Sequence, residues 1–115
     1  MIGRHLLADM RGVAPDHLVN RALLERVLGQ AAKAAGLSPV APPLVHVFAG
    51  GGMTAVLLLA ESHISLHSYP EYGYLALDVF TCGQSDPALA LDAFRSALNP
   101  AGESVEIVAR GRGVS

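Results

Sequence analysis

Two apolar runs, Met53–Leu59 and Leu75–Phe80, bracket a polar stretch, Ala60–Tyr74, and this arrangement limits the possible folds more than any other feature. Apolar runs of that length bounded by turn residues read as buried strands. The stretch between them holds two acids, two histidines, three serines and three tyrosines. Within it Ser62, Ile64, Leu66 and Ser68 alternate with His63, Ser65 and His67, so this segment is a strand with two unlike faces. Adjacent strands joined by short turns pair antiparallel. A dense, chemically mixed set held by core strands is also where a functional site is expected.

The other segments extend that sheet and cover it. Ile2–Met10 alternates, with Gly3, His5 and Leu7 on one face and Arg4, Leu6 and Ala8 on the other. Gly12–Pro15 reads as a turn. Asp16 or Asn20 can cap a helix whose stripe is Leu24, Val27, Leu28, Ala31 and Ala35, and Gly36 is a natural end for it. After the Pro-rich connection Leu37–Pro43, Leu44–Ala49 is a strand with His46 and Phe48 on one face. Gly50–Gly52 turns the chain into the run Met53–Ala60, and Pro70 and Gly73 separate Ser62–Ser68 from the strand Tyr74–Thr81. Asp86-Pro87 starts a helix with a capping acid and a proline at its first position. Leu91, Phe94 and Leu98 form its buried stripe, and Asn99-Pro100 ends it. Ser104–Ala109 is a last strand, and Arg110–Ser115 is expected to be a loose tail. The order β-α-β-β-β-β-α-β predicts a single α+β domain over residues 1–115: a two-layer sandwich, antiparallel β-sheet with two helices on one face.

Composition narrows the functional classes. A chain of 115 residues buries enough surface for one modest core. It is 51% hydrophobic with no Trp, which leaves apolar surface to spare and favours a homo-oligomer. The net charge of −2, without a basic block, argues against nucleic acid as a partner. A single cysteine cannot form an internal disulfide, and the expected location is the reducing cytoplasm. Met1–Leu7 lacks the apolar core of a signal peptide, and the longest apolar run is too short to span a bilayer. The glycine triplet is not followed by the Lys-Ser/Thr of a phosphate loop.

The residues by themselves leave three chemistries open. His63, Ser65 and His67 share a strand face and, with Cys82, could offer ligands to a metal. Cys82 and His67 could form a nucleophile–base pair. In the plainest reading the histidines are satisfied strand residues and Cys82 packs as a small hydrophobe.

Taken together the residues are more specific. The run from Glu61-Ser62-His63-Ile64-Ser65-Leu66-His67-Ser68-Tyr69-Pro70-Glu71-Tyr72-Gly73-Tyr74 to Asp78-Val79-Phe80-Thr81-Cys82-Gly83 closely resembles the prokaryotic S-adenosylmethionine decarboxylase proenzymes. Gly3-Arg4-His5-Leu6 and His46-Val47-Phe48 extend the resemblance over nearly the whole chain. It implies self-cleavage between Glu61 and Ser62, giving residues 1–61 (the β chain) and 62–115 (the α chain). Ser62 would become a pyruvoyl group, the enzyme's own cofactor, with no metal and no pyridoxal phosphate. That carbonyl would form a Schiff base with the substrate α-amine and act as electron sink. His67 matches the family residue that promotes the elimination step of processing, and Thr54 stands where a Ser usually assists it. Cys82 matches the proton donor of decarboxylation, a task that suits a thiol because it is mostly protonated at neutral pH. By the same resemblance Phe48 stacks on adenine, Glu71 binds the ribose hydroxyls, and Asp9 stands where a Glu lies in the substrate pocket. The family also implies a dimer stacking two sheets face to face.

The departures cluster. Where the family usually reads Phe-x-Pro-x-Gly-Val-Ser-Gly, this chain has Phe48-Ala49-Gly50-Gly51-Gly52-Met53-Thr54-Ala55. Asp9 is shorter than Glu, and Arg11 stands where an aromatic is common. The expected reaction is decarboxylation of S-adenosylmethionine for polyamine synthesis. The alternatives are the same chemistry on ornithine or arginine, and an uncleaved binding homologue.

Overall fold

The computed structural model describes residues 2–114. Six strands, β1 (Gly3–Arg11), β2 (Leu44–Val47), β3 (Met53–Leu58), β4 (His63–Tyr69), β5 (Tyr74–Cys82) and β6 (Gly102–Arg110), form one sheet. Its order is β2-β3-β4-β5-β1-β6, and every pair is antiparallel. Two long helices, α2 (Arg21–Ala34) and α3 (Pro87–Leu98), pack together on one face, preceded by a one-turn helix α1 (Pro15–Leu18). A single 3₁₀ turn, Pro70–Tyr72, joins β4 to β5. The fold is the expected α+β sandwich with α1 added.

Local chemistry sets the helix ends. Asn20, not Asp16, caps α2: its Oδ1 accepts the Leu23 amide at 3.0 Å, while Asp16 lies inside α1. At the other end Leu37 N donates to Ala32 O and Gly36 N to Lys33 O, with Gly36 at φ +71°. This paired closure favours a glycine, because a side chain resists a left-handed backbone. Asp86 caps α3 through Ala88 N at 3.0 Å, and Asn99 ends it at φ 45°.

The inward residues Leu6, Met10, Met53, Leu57, Ile64, Leu66, Leu75 and Leu77 meet Leu24, Leu28, Leu91 and Phe94 of the helices, all fully buried. Each such side chain contributes roughly 1.5–3 kcal/mol of burial energy. Ser68 and Thr81 are buried polar residues on this face, and Ser68 bonds to two elements. The Ser68 hydroxyl donates to Leu18 O at 2.8 Å and accepts Met53 N at 3.0 Å, which ties α1 to the sheet.

Among the described residues no helix covers the opposite face of the sheet. That face presents His5, Leu7 and Asp9 of β1, Thr54, Val56 and Leu58 of β3, His63, Ser65 and His67 of β4, and Ala76, Asp78, Phe80 and Cys82 of β5. The expected boundaries shift at several ends. β2 stops at Val47, so Phe48 lies just beyond the strand and at the start of the glycine turn. β6 runs through Arg110, which pairs with Gly3, so only the residues after it leave the sheet; Ser115 lies outside the described residues. No helix among the described residues is long and apolar enough to cross a membrane.

Candidate active site

The uncovered face holds two groups of candidate functional side chains, one at each end of β4. The first surrounds the β3–β4 turn. Leu59 N donates to Ser62 O at 2.9 Å and Ser62 N to Leu59 O at 3.3 Å, so Ala60 and Glu61 form a two-residue hairpin turn. The Glu61–Ser62 peptide bond therefore sits at the tip of a tight hairpin. Ser62 Oγ is buried and has no hydrogen-bond partner among the described residues. A buried hydroxyl without a partner is costly, and such groups mark places where chemistry takes precedence over stability.

Across β5, the His63–Phe80 pair brings the turn beside Cys82, a half-buried free thiol two residues further on the same face. Phe80 is flanked by His5 and His63, with ring centroids at 5.6 and 5.9 Å, and Arg110 lies over its ring at 5.5 Å. Burial lowers the His5 pKa, and Asp78, with Oδ1 3.8 Å from His5 Nε2, opposes that shift without cancelling it. The net effect favours the neutral imidazole of His5. Phe80, Asp78 and Arg110 had no role in the sequence reading. Strand parity places the first two on the uncovered face, but only the register reveals that they meet His5 and His63.

The second group lines a cavity of about 370 Å³ at the far end of β4. Phe48, Gly52, Thr54, His67, Tyr69 and Glu71 border it. Thr54 and His67 are cross-strand partners, and Thr54 Oγ1 lies 2.9 Å from His67 Nδ1. Phe48 borders the cavity and packs T-shaped with His46, ring centroids at 4.7 Å. Glu71 sits on the exposed 3₁₀ turn. Gly52 permits the close approach of the glycine loop, since a Cβ there would meet Ser68 O at 2.6 Å. Apolar and aromatic walls with a few convergent polar groups are the make-up of a small-molecule pocket.

Asp9 lies outside that lining and reaches it through two tyrosines. It accepts the Tyr74 hydroxyl, and the Tyr74 ring stacks on Tyr69 at 5.4 Å. The bond needs the protonated phenol, so Tyr74 is pushed up to about 12. The resulting stabilisation is complete below pH 10, the unfolded value, and is lost as pH rises through about 12. An ultraviolet titration of phenolate should show one tyrosine ionising at about 12, and Tyr74→Phe should remove that step.

The strand geometry separates groups that the sequence reading had placed together. With a rise of roughly 3.3 Å per residue, Ser62 lies about 17 Å from His67 along β4. His67 pairs with Ala76, six residues from Cys82, so these two stand about 20 Å apart and cannot form the nucleophile–base pair considered above. His63 and His67 are about 13 Å apart, too far to share a metal ion. Among the described residues no three potential ligands converge. The chain thus carries two separate groups of candidate residues: Ser62 and Cys82 at the hairpin, Thr54, His67, Phe48 and Glu71 at the cavity.

Comparison with known proteins gives a consistent result. The family model described as S-adenosylmethionine decarboxylase matches residues 4–111. The S-adenosylmethionine decarboxylase proenzyme of Symbiobacterium thermophilum is 40% identical over 112 residues, covering 96% of this chain and 84% of the relative. That of Methanococcus aeolicus is 38% identical over 111 residues, covering 96% and 94%. The crystal structure of the adenosylmethionine decarboxylase from Aquifex aeolicus superposes with a TM-score of 0.88 at 37% identity, covering 96% of this chain and 91% of that one.

Proposed function

The chain belongs to the S-adenosylmethionine decarboxylase family, and on that premise we propose that it is a proenzyme that cuts itself between Glu61 and Ser62 and then decarboxylates S-adenosylmethionine. The decarboxylated product would serve as an aminopropyl donor for polyamine synthesis. A single free thiol suits a reducing compartment, so the enzyme is assigned to the cytoplasm.

The observation that carries this reading is the buried, unpartnered Ser62 hydroxyl at the end of a two-residue turn. It is held next to the Glu61 carbonyl by covalent geometry, which supplies the proximity the first step needs. Ser62 Oγ attacks the Glu61 carbonyl carbon; the C–O bond forms, the C–N bond breaks, and the hydroxyl proton passes to the Ser62 amine. A base then removes the Ser62 Cα proton, the Cβ–O bond breaks, and Glu61 leaves as a carboxylate. The resulting enamine tautomerises, and water releases ammonia, leaving a pyruvoyl group at residue 62. When present, that group supplies an electron sink for a substrate α-amine. Cys82, a half-buried thiol on the uncovered face beside the turn, would return a proton to the substrate α-carbon.

The base must come from elsewhere, because His67 of the same chain is about 17 Å from Ser62. A homodimer that stacks the two uncovered faces about a two-fold axis supplies it. Such an arrangement sets the hairpin end of one sheet over the cavity end of the other, so the partner's His67, oriented by the partner's Thr54, reaches Ser62. Exposed Leu7, Val56 and Leu58 on this face give the interface its apolar content. Phe48 and Glu71 in the cavity offer a flat apolar wall and an acceptor for hydroxyls, which suits a nucleoside better than ornithine or arginine.

The test is an intact mass after incubation with S-adenosylmethionine and a mild imine-reducing agent, with ornithine and arginine in parallel. We expect two fragments broken at Glu61/Ser62, the second lighter by one ammonia than plain hydrolysis gives, and a substrate adduct on that fragment from S-adenosylmethionine. One unmodified chain in every sample would overturn the reading in favour of an uncleaved binding protein.

A further inference from the structure

The Pro-rich connection between α2 and β2 runs beside the scissile turn and bonds to it residue by residue. Val40 N donates to Leu58 O at 3.1 Å, and Pro39 bridges Leu59. Ser38 O accepts Ala60 N at 2.8 Å, and Ser38 N donates to the Glu61 carboxylate at 3.2 Å. The segment 38–40 thus adds a short outer strand that ends on the residue whose carbonyl is attacked.

We propose that this segment is the cleavage clamp of the proenzyme, and that Ser38, through the Glu61 side chain, positions the Glu61 carbonyl for attack by Ser62. The proposal rests on the self-cleavage reading above. Two-residue hairpins usually close through turns with positive φ, which match the twist of their strands. Among the described non-glycine residues only Asn99 has positive φ, so Ala60 and Glu61 do not form such a turn. This turn therefore takes its position from an outside support. Pro39 makes that support stiff: it fixes its own φ and holds Ser38 extended. In an extended residue the N–H and C=O point to the same side, so Ser38 grips Ala60 and Glu61 together. The clamp leaves Ser62 Oγ free, and its contacts lie only on the Glu61 side of the bond.

Ser38→Pro deletes the amide that holds Glu61 and keeps the carbonyl that holds Ala60. Glu61→Ala removes the acceptor, and Glu61→Gln restores a neutral one. Each is made by cell-free synthesis and chased, with the uncut fraction read by intact mass. Hydroxylamine is added in parallel to split any ester between Glu61 and Ser62. Ser38→Pro and Glu61→Ala should slow cleavage by at least ~10-fold and should yield less hydroxylamine-cleavable chain, because acyl transfer itself loses its alignment. Glu61→Gln should recover most of the rate. Paired with Ser62→Ala, each substitution should melt with the Ser62→Ala parent, which separates alignment from folding.

Cleavage of both variants at the wild-type rate would overturn the clamp. So would a loss of rate with undiminished ester, since the defect would then lie in the elimination. If Ser38→Pro fails to fold, Glu61→Ala decides alone, because Glu61 is exposed and its truncation spares the core. A wild-type chain that never cuts would overturn the self-cleavage reading instead, so the two failures are distinguishable.

Discussion

Ser62→Ala is expected to give a single uncut chain of 12.0 kDa with no decarboxylase activity and undiminished thermal stability. The loss of function is complete because Ser62 has two roles that no neighbour can assume. In the proposed mechanism its hydroxyl is the nucleophile that breaks the Glu61–Ser62 bond, and its own carbons become the carbonyl that the reaction requires. Without it the rate falls to the uncatalysed background, a loss of at least ~10⁶-fold for a typical enzyme. Stability should move the other way or not at all. The Ser62 hydroxyl is buried without a partner, so its removal relieves a desolvation cost of about 1–3 kcal/mol while losing no hydrogen bond. A substitution that abolishes activity while keeping or raising the melting temperature is the signature of a group retained for chemistry. Denaturing electrophoresis with a melting curve reads both quantities, and a cut, active Ser62→Ala protein would refute the assignment.

Sheet and helices were legible in the sequence because the determinants of both are local. Alternation in Ser62–Ser68 assigned faces correctly, and Asp86-Pro87 and Gly36 marked helix ends through backbone chemistry that holds in almost any tertiary context. The one-turn helix at Pro15–Leu18 went undetected, with Pro15 read as the end of a turn and Asp16 as a possible cap of the next helix, because four residues give no periodicity to detect. The shortfall at the site is of another kind. Resemblance delivered Ser62, His67, Thr54 and Cys82 as one set, without distances. Once Ser62–Ser68 is read as a strand, its rise alone keeps Ser62 and His67 apart, and a matched residue set does not say whether one protomer or two would hold it. Asp9 follows the same logic. The resemblance implies a place in the substrate pocket; in the single chain Asp9 lies outside the cavity lining and is linked to it through Tyr74 and Tyr69, a contact that depends on cross-strand register. Phe80 was passed over because an aromatic in an apolar strand reads as core. Parity puts it on the uncovered face, and the register sets it between two histidines.

Mixing two defective chains should restore cleavage in one of them. His67→Ala alone is expected to remain uncut, because no base removes the Ser62 Cα proton. Ser62→Ala alone remains uncut for lack of a nucleophile. In a mixed dimer the two defects fall on different half-sites. The His67→Ala chain still has Ser62 and Cys82 at its hairpin, and the Ser62→Ala partner still has Thr54 and His67 beside its cavity. One site of that dimer is then complete, and the other lacks both groups. After denaturing, mixing equal amounts and refolding, random pairing puts about half of the His67→Ala chains in mixed dimers, and that fraction should become cut. The Ser62→Ala chains should stay whole. A mass difference between the two substitutions identifies which chain broke, so the result cannot arise from contaminating wild-type protein. The outcome discriminates between two physical arrangements. If His67 served its own chain, the separation of about 17 Å would have to close by rearrangement of β4. Mixing would then rescue nothing, because each chain would keep its defect. Cleavage of the His67→Ala chain, and of that chain alone, follows only if the base acts across the interface.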